Sequence, residues 1–395
     1  MLLSIALIVI VGFVLGGVLQ RLGIPGLIGM MAAGVVLGPT MFNLIDPKVL
    51  LIAPDLRQMA LIVILLRAGL ALDLKDLQAI GRPAVLLSFV PATFELLAVM
   101  GLSHFLLGLS WLDGAILGAI LAAVSPAVVV PRMLNLMERQ WGQSHKVPQL
   151  VMAGASADDL YVIMVFSILL AVATGSGWSW TMILELPVSI VLGIVLGYLL
   201  GWGLVLVFKR IHMRDTVKVL VMLSASFLMV AVEPLIPSIP YSGLLGVMSL
   251  GVAILHRYPL LAKRITGKFA KIWVASELML FALVGAAVDF SVLGQAGFLA
   301  FMVVVGALMI RMAGVEVSLL KTPLTAKERL FVALAYLPKA TVQAAIGSIP
   351  LAMGLPSGGL LLSIAVLAIV ISAPMGALAI DHTAHRLLGQ SHTNR

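Results

Sequence analysis

A helix must run for roughly 20 apolar residues to cross a bilayer, and this chain offers such runs almost end to end. They fall at roughly 2–19, 26–42, 51–72, 84–107, 112–134, 148–174, 182–208, 216–233, 241–256, 273–290, 296–319, 328–352 and 356–380, thirteen by that measure. Of the 395 residues 62% are hydrophobic and only 11% charged, too few charges to cover a water-exposed domain of this length. The fold expected is therefore all-α and polytopic. The first run has no basic residue before it and reads as a retained span rather than a cleaved leader. With no cysteine in the chain, a disulfide framework, a thiolate metal site and a cysteine nucleophile are all excluded.

The basic residues orient these spans. Loops after odd-numbered spans hold Arg21; Lys75 and Arg82; Arg132, Arg139 and Lys146; Lys209, Arg210, Arg214 and Lys218; Arg257, Lys263, Arg264, Lys268 and Lys271; and Lys321, Lys327 and Arg329. Even-numbered loops and their flanks hold only Lys48 and Arg57. Positive residues favour the cytoplasmic side, so the N-terminus is expected outside and the tail with Arg386 and Arg395 inside a bacterial-type inner membrane. The net charge of +8 is thus spent on topology. No basic, aromatic-interleaved surface is left for nucleic acid.

Arg67, Arg311 and Lys339 remain after that sorting; Arg67 lies toward the cytoplasmic end of span 3, and five ionisable residues, Glu95, Asp158, Asp159, Arg311 and Lys339, fall near mid-span. Each costs on the order of 2.5–3.5 kcal/mol at the bilayer centre, so each needs a partner or a task. Two spans are also interrupted. Span 5 carries Ala123-Val124-Ser125-Pro126 and then Pro131, and span 12 carries Leu337-Pro338-Lys339-Ala340-Thr341 and later Gly347. Proline lacks an N–H and disturbs the preceding turn, which frees carbonyls around Ala122 to Ser125. Free backbone groups at that depth are tolerated only inside protein or beside water. The interruptions lie seven spans apart. If spans 1–6 and 8–13 are two six-helix repeats joined by span 7, the second inserts upside down, and span 4 (Glu95) corresponds to span 11 (Arg311). Paired broken helices in inverted halves point to a secondary transporter with its site between them.

The runs Ile64-Leu65-Leu66-Arg67-Ala68-Gly69-Leu70, Ala123–Pro131, Asp158-Asp159 and Leu337-Pro338-Lys339-Ala340-Thr341-Val342-Gln343-Ala344-Ala345 resemble the cation:proton antiporter superfamily, and within it the NHA branch of Na⁺/H⁺ antiporters. The resemblance spans most of the chain. It implies an NhaA-type antiporter fold and a homodimer. Within the single transporter unit 1–395 it implies a dimerisation domain of about 1–72 with 182–256, and a mobile, elevator-like core of about 84–174 with 273–380. Asp158 and Asp159 become the ion-site carboxylates, with backbone oxygens near Val124 and Ala155 as further ligands. Ser125, Pro126, Ser156, Lys339 and Thr341 support the site, Lys339 lying in the break of span 12. Arg311 stands where many electrogenic relatives place a lysine, and is expected to pair with Glu95.

The chemistry fits that assignment. Na⁺ and Li⁺ are hard cations served by carboxylates, carbonyls and water, so no cofactor is called for. Neighbouring helical residues point about 100° apart, so the two carboxylates cannot face identically; Asp159 is expected to be the main cation ligand and proton carrier. Burial disfavours an empty charged site, and H⁺ and Na⁺ then compete for the same oxygens as a coupled pair. Arginine effectively never deprotonates, which favours electroneutral exchange. The rivals are a K⁺/H⁺ antiporter and a Na⁺-coupled solute symporter of the same fold. An intramembrane aspartyl protease needs two aspartates that converge across helices, and these diverge on one. Gly12-x-x-x-Gly16 has a spacing compatible with close helix contact, including dimerisation.

Overall fold

The computed structural model describes residues 1–71, 81–174, 180–236, 241–288 and 290–389, with side chains left aside at 156, 160, 180–187, 190, 234 and 290–296. In chain order the helices are α1 (Leu2–Arg21), α2 (Gly26–Leu37), α3 (Pro47–Leu51), α4 (Ala53–Ala71), α5 (Arg82–Leu87), α6 (Val90–Leu107), α7 (Trp111–Ala122), α8 (Pro126–Glu138) and α9 (Val147–Ala173). They continue as α10 (Trp180–Arg210), α11 (Asp215–Val232), α12 (Gly243–Arg257), α13 (Pro259–Ala286), α14 (Phe290–Ser318), α15 (Ala326–Ala335), α16 (Thr341–Ile346), α17 (Ile349–Ala352) and α18 (Gly358–Leu387). Among the described residues nine helical segments are long and apolar enough to cross a membrane. The chain is an all-helical, multi-pass membrane protein.

One expected loop is helical. The basic stretch Lys263–Lys271 lies within α13 rather than before it. Leu261, Ile265 and Phe269 recur every fourth residue and are fully buried, while Lys263, Arg264, Lys268 and Lys271 are exposed. An amphipathic stripe of that kind needs no loop to keep its charges in water. Glu277 lies in the interior of α13.

Packing divides the chain into two compact units. One comprises Met1–Pro54, Asp76–Val162 and Leu278–Arg395; the other comprises Asp55–Lys75 and Ile163–Glu277. In the second unit Gly193, Gly197 and Gly201 of α10 lie against the backbone of Ser242, Gly246 and Leu250 at the start and centre of α12. Both series step by four residues, and a Cβ on Gly197 would collide with the Gly246 carbonyl. With no hydrophobic drive between helices in lipid, such close backbone approach is what holds them together.

The same device operates in the first unit. Gly12 faces the Leu278 side chain and Gly16 faces Gly26 and Gly29 of α2, so the Gly-x-x-x-Gly face of α1 is occupied within the chain. Gly114 and Gly118 of α7 sit against Met100 and Leu96 of α6. That contact draws Glu95 toward the end of α7, where the chain leaves helical geometry. Residues 1–54 group here with the segments that carry all five buried ionisable residues named above. The expected partition put 1–72 with 182–256, but it concerns which helices move, a separate property from packing density.

Candidate functional site

The helix α7 stops at Ala122, residues 123–125 are extended, and Pro126 opens α8 at its first position. Proline fits there because the first helical N–H has no intrahelical partner to lose. The interruption is therefore two half-helices with a linker, not a kink in one helix. In span 12, α15 stops at Ala335 and α16 begins at Thr341. The two linkers meet: the Ser125 N–H donates to the Pro338 carbonyl at 2.8 Å, and the Ser125 and Thr341 hydroxyls lie 3.5 Å apart.

Carbonyls released by the first break are taken up by side chains. Gln343 Nε2 donates to Ala123 at 2.8 Å and to Leu121 at 3.4 Å, Arg311 Nη1 donates to Ala122, and the Ser125 carbonyl accepts from Val128 and Val129. These bonds skip the Val124 carbonyl. Gln343 Oε1 also accepts from the Ala340 N–H at 2.8 Å, so this amide stitches both breaks. Gln343→Leu removes the partner of each group, at about 1–3 kcal/mol for a buried polar group left unpaired. The variant is expected to unfold at a clearly lower temperature in detergent, as read by intrinsic fluorescence; an unchanged transition would mean the breaks are held otherwise.

The charges converge on these linkers. Arg311 of α14 is fully buried and donates in four directions: Nη1 to Glu95 Oε2 at 2.6 Å and to the Ala122 carbonyl, Nη2 to Asp158 Oδ2 at 2.9 Å, and Nε to the Tyr336 carbonyl at 2.8 Å. Lys339, in the second linker, places Nζ 2.6 Å from the same Glu95 oxygen. Asp158 Oδ2 also accepts the Val124 N–H at 2.8 Å. Two carboxylates, Glu95 and Asp158, are thus matched by two cations, Arg311 and Lys339. Asp159 stands outside that balance. Its residue is 4% exposed, and its Oδ1, like Oδ1 of Asp158, has no hydrogen-bond partner among the described residues.

Of the other residues singled out from the sequence, Thr341 and Ser125 are buried at the crossing. Ala155 lies one turn before Asp159 in the continuous helix α9, where its carbonyl serves the helical ladder with one lone pair to spare. The Ser156 side chain falls outside the described residues. Val124 is fully buried and contributes its N–H to Asp158. The Glu95–Arg311 pair is present but larger than expected, since Lys339 and Asp158 join it. Sequence reasoning missed both additions and the roles of Tyr336 and Gln343. The proximity of Gln343 to the second break was the available signal.

Residues 4–384 match the family described as sodium/hydrogen exchanger, transmembrane. The chain belongs to that family. Among curated members of the exchanger family, it is 35% identical to sodium/hydrogen exchanger 9B2 of Mus musculus over 391 residues, which is 93% of this chain and 69% of the mouse protein. It is 34% identical to the Homo sapiens 9B2 protein, covering 94% and 71%, and 30% identical to Homo sapiens 9B1, covering 92% and 73%. The fold of this exchanger resembles the sodium proton antiporter MjNhaP1 of Methanocaldococcus jannaschii, solved at pH 8, with a TM-score of 0.84, 21% identity and 97% of each chain covered. The family is one of cation/proton transporters rather than enzymes.

Proposed function

We propose that this exchanger trades Na⁺ (or Li⁺) for H⁺ by alternating access, the two ions competing for the Asp158–Asp159 pair. The observation that carries the reading is the charge balance: Asp158 is matched, and Asp159 beside it is buried with no ionic partner among the described residues. An ionised, empty Asp159 leaves one uncompensated charge in a low-dielectric site, and either H⁺ or a monovalent cation cancels it. The neutralised protein crosses between its two states; the empty charged one resists. Competition for one carboxylate is the coupling.

The ligand set proposed for the cation is Asp159, the free Oδ1 of Asp158, and the carbonyls of Val124 and Ala155. Ser125, Pro126, Ser156, Thr341 and Lys339 shape the surroundings. Arg311 cannot shed its proton, and Lys339 is engaged with Glu95, so no second carrier is offered. One cation then moves against one proton without net charge. We further propose thirteen crossings arranged as two inverted six-helix repeats, with the N-terminus outside and the C-terminus cytoplasmic in a bacterial-type inner membrane. The protein would act as a homodimer through helices of 1–72 and 182–256, with 84–174 and 273–380 as the moving part.

Exchange by purified protein in liposomes, followed with ²²Na⁺ and an internal pH dye, tests the reading. Na⁺- and Li⁺-driven proton movement is expected, with no transient current on a solid-supported membrane. Currents that scale with Na⁺ would overturn electroneutrality. Preference for K⁺, or Na⁺ uptake that requires an organic solute and moves no proton, would replace the substrate assignment.

A further inference from the structure

Three buried oxygens around the site have no hydrogen-bond partner: Asp158 Oδ1, Asp159 Oδ1 and the hydroxyl of Tyr336. The carboxylate oxygens belong to the exchange reading above. The tyrosine has no part in it so far.

Tyr336 is fully buried and opens the linker between α15 and α16. Its carbonyl accepts from Arg311 Nε at 2.8 Å, and its ring centroid lies 5.5 Å from the Arg311 guanidinium carbon. Its hydroxyl abuts the backbone of α9 at Gly154 so closely that a Cβ there would overlap it. Gly154 is one turn before Asp158, on the same face of the helix. Helical side chains lean back toward the N-terminus, so the Asp158 carboxylate reaches over the turn that Gly154 occupies. A hydroxyl without an acceptor and a carboxylate oxygen without a donor therefore share one stretch of α9, close but not bonded. Buried groups so placed are commonly joined by one ordered water.

We propose that Tyr336 is a positioning residue of the exchange site, its hydroxyl bonded through one water to Asp158 Oδ1. The inference rests on the Asp158–Asp159 reading. Asp158 Oδ2 is fixed by Val124 and Arg311. A tether on one lone pair of Oδ1 sets the carboxylate plane and leaves the other lone pair aimed at the cation beside Asp159. No proton changes owner: the hydroxyl donates to water, and water donates to the carboxylate. The charged groups facing Tyr336 are Asp158 from α9 and Arg311 from α14, with Glu95 of α6 and Lys339 of its own linker paired behind them.

Tyr336→Phe separates this role from packing, because it deletes one oxygen and keeps the ring. In liposomes the variant is expected to keep its maximal rate while KM for Na⁺ rises about threefold to tenfold, the size of effect expected for one ordinary hydrogen bond, here relayed through water. A wild-type KM would make Tyr336 a packing residue and end the proposal, while leaving the exchange reading intact; that reading fails on Asp159, not here.

Discussion

Asp159→Asn is expected to reduce Na⁺/H⁺ exchange in liposomes to the level of protein-free vesicles while leaving the fold intact. The amide is nearly isosteric, cannot ionise, and replaces a group whose Oδ1 has no partner to lose. Removing a buried, uncompensated charge does not destabilise by the route that removing one half of an ion pair does. A second reading of the same variant is independent of transport. A cation that binds only the folded protein stabilises it by about 2.7 kcal/mol at 100 times its Kd. Wild-type protein should therefore melt higher as Na⁺ is added, and Asp159→Asn should not respond. Full exchange by the asparagine variant would remove the proposed carrier altogether. Asp159→Glu keeps the charge and lengthens the arm by one methylene, so it is expected to retain exchange with a weaker apparent affinity.

Arg311→Ala should be the most damaging single substitution to the fold. It leaves Glu95 with Lys339 alone, Asp158 with only the Val124 N–H, and the carbonyls of Ala122 and Tyr336 without their donor. Breaking a buried pair by deleting one partner costs about 3–5 kcal/mol, and here one residue serves two carboxylates. A large fall in unfolding temperature, or loss of monodisperse protein on size exclusion, is expected. Arg311→Lys restores the charge but not the fork, because an ammonium is a point donor and cannot reach Glu95, Asp158 and Tyr336 together. It should recover only part of the stability. Lys339→Met, by contrast, leaves Glu95 paired with Arg311 and should be the mildest of the three. An Arg311→Ala protein melting with the wild type would mean that the four-way contact contributes nothing.

Some of the site was legible before any coordinates were considered. The expense of burying charge in a chain with so few charges drew attention to Glu95, Asp158, Asp159, Arg311 and Lys339, and all five are buried. Proline at 126 and 338 marked both breaks, because proline leaves a recognisable gap in the helical ladder. The pairing of Lys339 with Glu95, 244 residues away, left no such trace. Nor did the bond from Arg311 to Asp158, 153 residues apart, since one arginine has five donors and the sequence does not say which acceptors reach it. Gly12 and Gly16 were read for helix contact with dimerisation among the options; the neighbours they meet are Leu278 and α2 of the same chain.

Periodicity, hydropathy and the cost of charge in lipid act locally along the chain, and they were enough to establish a helical membrane protein with two interrupted spans and a small set of buried ionisable residues. Which carboxylate is matched and which is left open depends on distances of a few ångströms between helices far apart in sequence. Electrostatic and hydrogen-bond energies change steeply over such distances. Only the packed structure decides that Arg311 and Lys339 balance Glu95 and Asp158, and that Asp159 stands alone.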